Sequence, residues 1–160
     1  MNLSNTELLR QYAETPIVQQ DAVPAWLALR DDTSRTYLEV AKKLDIQQVH
    51  DQPYVDAWAM FRDMSNGLLK VSVDHADHPV WSNEDNIKFR VVHDYYHFCS
   101  LADFSLQGEL DTFQFHAARL AAPGLTRKAR EALYIEVYVQ ALWKIVYDEF
   151  PVQKVFTLSH

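Results

Sequence analysis

The sequence predicts a mainly α-helical fold, a compact single-domain bundle with a small two-stranded β-ribbon, and three observations carry that prediction. A chain of 160 residues suffices for one proper hydrophobic core and is short for two. Only 3 glycines and 6 prolines interrupt it, too few for an architecture of many hairpins. Apolar side chains recur at the three- and four-residue spacing of a helix face in most of its segments. With 48% hydrophobic and 23% charged residues, the composition is that of an ordinary globular protein rather than a disordered one.

The elements follow in order. Ser4 or Asn5 caps a first helix carrying Leu8, Leu9 and Tyr12, which Pro16 stops. A short segment from Pro24 to Leu29 holds Trp26, and Asp31-Asp32-Thr33-Ser34 then opens a helix to about Leu44. These first 50 residues read as a helical arm packing on a core of residues 53–150. After Pro53 a helix bearing Trp58, Met60, Phe61 and Met64 ends at Asn66-Gly67, a left-handed stop. Leu68–Val73 reads as a strand, with Val152–Leu158 as its expected partner. Ser82 or Asn83, followed by Glu84-Asp85, opens a helix to about Ala102. Another is expected from Glu109 to Ala121, closed by Pro123-Gly124, and Thr126 caps the last and longest helix, which reaches about Phe150.

Charge and composition exclude several function classes. A net charge of -7 with no basic run argues against direct nucleic-acid binding. No apolar run approaches a bilayer span. The single cysteine, Cys99, cannot form an internal disulfide and reads as a small core residue, and the chain does not open on a secretory leader, so a cytoplasmic protein is expected.

Candidate chemistry centres on three helices. His93 and His97, four apart, project from one helix face and can converge on one ion. In the next helix Glu109 and His116 are seven apart on one face, although Glu109 also suits the helix dipole in a first turn. In the last, the run Ala132–Trp143 is apolar all round except for Glu136, and a buried carboxylate is costly unless paired, hydrogen-bonded or metal-bound. Gln140 is placed to orient it. Two roles stay open for Glu136: a metal ligand, or the acceptor of a structural network fed by tyrosine hydroxyls or by Arg90 or Arg119.

A third, acidic ligand turns the histidine pair into the His-His-carboxylate set of open zinc or non-haem iron sites. Asp94 stands where the zincin motif H-E-x-x-H has its general base, one methylene short. The adjacent pair His93-Asp94 also fits an HD-type phosphohydrolase, for which His50 and Asp148 would complete the set. A di-iron carboxylate bundle needs Glu-x-x-His pairs, and the chain has none. The ligand-rich loop Asp74-His75-Ala76-Asp77-His78 is a minor alternative.

The run Phe89-Arg90-x-x-His93-Asp94, a further His, Gly108-Glu109, and Glu136-x-x-x-Gln140-x-x-Trp143 resembles a family of uncharacterised phage and prophage proteins. Pro53-Tyr54, Leu69-x-Val71 and His78-Pro79 extend the likeness to residues 53–147. The chain departs from the pattern at Tyr96, where a glycine usually precedes a histidine five after the first, whereas His97 follows by four. The resemblance implies a phage-type protein and no particular reaction.

The expectation is therefore one divalent metal, zinc, iron, manganese or nickel, held by His93, His97, Glu109 and Glu136, with His116 as a further candidate and Asp94 as base or orienter. The leading function is a metal-dependent hydrolase acting on an unknown small-molecule or peptide substrate. The alternative is a non-enzymatic phage accessory protein whose His/Glu cluster is a buried structural network. With 4 Trp and 8 Tyr, an aromatic patch could support a homo-oligomer.

Overall fold

The computed structural model describes residues 2–120 and 127–160. The expected Pro123-Gly124 stop and Thr126 cap lie outside the described residues. Among these, mainly α structure with a small two-stranded sheet is what the chain forms.

Helix α1 spans Asn5–Glu14, where the Ser4 hydroxyl accepts the Glu7 N–H, and it stops ahead of Pro16. Helix α2, Val23–Lys43, is one continuous rod rather than the two segments expected. The capping signal at Asp31–Ser34 is overridden because Asp32 and Thr33 are buried in its side and no proline or glycine follows to break it. The first 50 residues pack α2 against helices α4 (Asn83–Ser100) and α6 (Arg127–Tyr134).

Strand β1 (Asp45–Val49) and strand β2 (Leu68–Ser72) pair in parallel, Asp45 opposite Leu68 through Val49 opposite Ser72. This corrects the expected pairing of β2 with Val152–Leu158. The stretch between the strands holds helix α3 (Ala57–Ser65), and a helix-bearing crossover of that length is what parallel pairing requires. Most of β1 is exposed, so Asp-Ile-Gln-Gln-Val shows no alternation to announce it. The C-terminal segment instead meets the N-terminal one, Val155 bridging Val18.

Two hydrophobic cores result among the described residues. The larger gathers Trp26, Leu133, Ile135 and Phe156; the smaller lies under the sheet around Met60, Leu69 and Val71. Helix α4 runs between them, giving Phe89 to the first and Val91 to the second. Packing on both flanks sets the rotation of α4 about its axis and turns His93 and His97 toward helix α5 (Leu106–Arg119). That helix begins three residues before Glu109, because Ser105 caps it by accepting the Gly108 N–H.

The last helix is interrupted. After α6, residues Ile135–Val139 form a π-helical turn in which the Gln140 N–H reaches back five residues to Ile135, and helix α7 (Gln140–Tyr147) follows. It ends at Asp148 in left-handed geometry, short of the expected Phe150. Cys99 is exposed rather than in the core: two positions past His97 it lies about 200° round the helix. None of the helices among the described residues is long and apolar enough to cross a membrane.

Candidate metal centre

The last turns of α4 and the first turn of α5 bring three ligand atoms together. His97 Nε2 lies 3.0 Å from His93 Nε2, and Glu109 Oε2 lies 3.1 Å from the first of these rings' partners, His93, and 3.2 Å from His97. Ligands bound about 2.0–2.2 Å from a tetrahedral ion stand about 3.3 Å apart, so this triangle is close to one face of such a coordination sphere. Among the described residues His93, His97 and Glu109 are the one group of this kind.

The surroundings of His97 fix which nitrogen carries its proton. Its Nδ1 is 3.0 Å from the Ala102 carbonyl and 3.1 Å from Thr112 Oγ1, whose own hydroxyl donates to the Gly108 carbonyl. Both neighbours therefore accept, Nδ1 donates, and the neutral ring presents a lone pair at Nε2, as a metal ligand must. The backbone reversal that delivers the Ala102 carbonyl is made by Leu101 in left-handed geometry (φ 54°), which ends α4. Burial disfavours charge on both His97 and Glu109, yet their pairing outweighs it. Glu109 is driven down to about 2, with His93 the largest opposing influence, and His97 is raised through its bond to Glu109.

Gly108 is what allows Glu109 to be there. A Cβ on it would overlap the Asp103 carbonyl oxygen and stand 2.8 Å from the carbonyl carbon, so the loop from α4 crosses the start of α5 at backbone contact. Gly108→Ala is expected to lose about 2 kcal/mol net in urea unfolding: a Cβ overlapping a backbone oxygen puts overpacking at the upper end of its range, about 3, against a gain of about 1 from helix propensity. An unchanged or raised midpoint would show that the loop can yield.

Asp94, partly buried, faces with His93 into a cleft of about 720 Å³ between the 51–54 and 72–77 loops and the 150–153 segment. No donor among the described residues hydrogen-bonds its carboxylate, which burial pushes up to about 6. Phe104, edge-on to His97 at 5.2 Å, lines the same cleft. Phe89 stacks parallel to His93 at 6.3 Å, and Arg90 donates to the carbonyls of Ser72, Asp74 and His75, holding the cleft's loop.

Glu136 is not part of the triangle. Its Oε1 accepts from Trp26 Nε1 at 2.8 Å and His78 Nε2 at 3.0 Å, and its Oε2 from Gln140 at 3.0 Å. His78 Nδ1 accepts the Val80 and Trp81 N–H groups, which leaves the neutral ring's proton on Nε2, aimed at Glu136. The expected donors were tyrosines or arginines. Arg90 instead holds the loop and Arg119 lies over the Phe115 ring, bonding the Phe115 carbonyl. Trp26 and His78 lie 110 and 58 residues from Glu136, beyond any local spacing signal.

His116 also stays outside the triangle. Its ring is buried beside Tyr96 and Phe89, at 4.7 and 6.1 Å, with Nδ1 unpartnered, and desolvation drives its pKa down to about 3. The unfolded chain, with a histidine near about 6.5, takes up the proton first. Stability is thus complete above about pH 6.5 and falls as pH drops from there toward 3, by up to about 1.4 kcal/mol per pH unit. His116→Leu is expected to flatten this acid limb by one proton in urea unfolding series with chelator present; identical slopes in both proteins would show that the ring is not held neutral.

The HD-type set does not assemble. His50 is exposed and pairs with Asp74 at 2.8 Å, and Asp148 closes α7. In the 74–78 loop cluster, only His78 is drawn into a buried network. Comparison of the chain with family models, with curated proteins and with solved structures found no match, so its function has to be read from the geometry of this centre.

Proposed function

We propose that the protein is a metal-dependent hydrolase in which His93, His97 and Glu109 hold one divalent ion and Asp94 acts as base in the adjoining cleft. The observation that carries this reading is the triangle of 3.0, 3.1 and 3.2 Å between two imidazole nitrogens and one carboxylate oxygen, beside an open cleft. Three protein ligands leave a four-coordinate ion one position for water, the mark of a catalytic rather than a structural site. Such an ion supplies a nucleophile by acidifying that water. Asp94, which lines the cleft with His93 and has no competing hydrogen bond among the described residues, would accept the proton.

This arrangement is nearer to a zincin than to an HD-type enzyme, because two histidines one helical turn apart and a glutamate from the next helix form the set. Zinc, iron, manganese and nickel all accept such ligands. The phage-type origin rests on the motif resemblance, whose Phe89, Arg90, His93, Asp94, Gly108 and Glu109 serve this centre. One observation favours the non-enzymatic alternative: the chain buries another carboxylate, Glu136, in a fully hydrogen-bonded structural network.

Elemental analysis of protein purified without a histidine tag separates the two. About one equivalent of a divalent transition metal per chain is expected, retained on dialysis and restored after chelation, as three-ligand sites of this type bind tightly. A metal-free protein that rebinds none would overturn the hydrolase reading.

A further inference from the structure

We infer that the cleft over this centre receives an organic cation, an amine or guanidinium on an apolar body, rather than a phosphate ester or a carboxylate. The inference deepens the proposed function, since it treats the cleft beside His93 and Asp94 as the substrate site.

Asp51, Asp74, Asp77 and Asp94 all line the cleft, against one Arg or Lys, Arg90. Asp74 is compensated by His50 at 2.8 Å and by the Asp51 N–H. Asp51 and Asp77 are exposed and form no ion pair among the described residues, so their charge is turned to the cleft and the solvent. Arg90 offers little to an anion. Its Nη1 donates to the Ser72 and Asp74 carbonyls at 2.8 and 2.7 Å, and its Nη2 to that of His75 at 2.6 Å. Apart from the ion itself, a phosphate would need that fork free and would meet like charge on the opposite wall.

The remaining lining suits the rest of such a ligand. Tyr54 and Phe104 line it with aromatic rings of the kind that attract ammonium and guanidinium groups, whereas the Phe150 ring already carries the Lys144 ammonium at 4.3 Å. A volume of about 720 Å³ falls within the range of small-molecule sites. The chain's net charge of -7 adds long-range attraction for cations.

The test is calorimetric titration of the chelated, metal-free full chain, in which no ion draws the anions, at low ionic strength with three ligands that share one ring: phenethylamine, 3-phenylpropionate and phenyl phosphate. Phenethylamine is expected to bind about tenfold more tightly than either anion, and added salt to erode the difference. Asp51→Asn combined with Asp77→Asn, both at the exposed rim, is expected to remove most of that preference while zinc content stays the same. Tighter binding of phenyl phosphate, no binding of phenethylamine, or a preference untouched by the double variant would each overturn the inference. Failure here is separable from failure of the hydrolase reading. A protein that holds zinc but prefers phosphate refutes only the cation cleft, and one that prefers the amine but rebinds no metal refutes only the metal centre.

Discussion

Substituting Glu109 by glutamine is expected to lower zinc affinity by at least about a hundredfold, more than the tenfold to hundredfold typical of residues that only orient a ligand. The amide is nearly isosteric but neutral, so it removes the charge that both imidazoles face at 3.1 and 3.2 Å while leaving α5 intact. His97→Ala should lose as much. Because that ring is fully buried, its fold is to be checked by circular dichroism alongside. Thr112→Val removes one of the two acceptors on His97 Nδ1 and should cost about tenfold. Competition with a chromophoric chelator measures all three. Full affinity in Glu109→Gln would remove the carboxylate from the ligand set, and with it the case for an open catalytic site.

Glu136→Ala is expected to show the opposite pattern, a loss of about 2–6 kcal/mol in unfolding free energy, about 1–3 for each of two stranded donors, with zinc affinity unchanged. The Glu136 carboxylate is the acceptor for Trp26 Nε1, His78 Nε2 and the Gln140 amide, and the side chains of His78 and Glu136 are 0% and 3% exposed. Removing it strands two buried donors, Trp26 Nε1 and His78 Nε2, while Gln140 keeps its bond to Gln153, and an unsatisfied buried group costs its full desolvation. Glu136→Gln keeps one acceptor oxygen and should lose less. Were it to release zinc while its urea midpoint held, Glu136 would belong to the metal centre after all.

These two residues mark where the sequence is legible and where it stops. Glu109 could be placed because everything that positions it is close in the chain: Ser105 caps its helix, Gly108 admits the Asp103 carbonyl, and His97 lies twelve residues back. Glu136 was recognisable as a residue in need of partners, since one charge in an apolar helix must be compensated, but not as the acceptor for Trp26 and His78. Its π-helical turn left no trace either, because the run from Ile135 to Val139 would pass as ordinary buried helix. Strand β1 escaped for a different reason, since an exposed edge carries no alternation. Its pairing with β2 is set by the crossover through α3.

Sequence alone determined the helical class, narrowed two caps to Ser4 or Asn5 and Ser82 or Asn83, and determined the stops before Pro16 and at Asn66-Gly67 and the facing of His93 and His97. All of these are interactions over three to five residues, whose geometry a helix dictates whatever else the chain does. Tertiary structure alone decided that Glu136 and His116 stay outside the triangle of His93, His97 and Glu109, and that Asp94 opens on a cleft. Those outcomes depend on how α4 is rotated between two cores and on where α2 and the 74–81 loop come to rest. Contacts between residues tens of positions apart are selected by packing, and no local spacing encodes them.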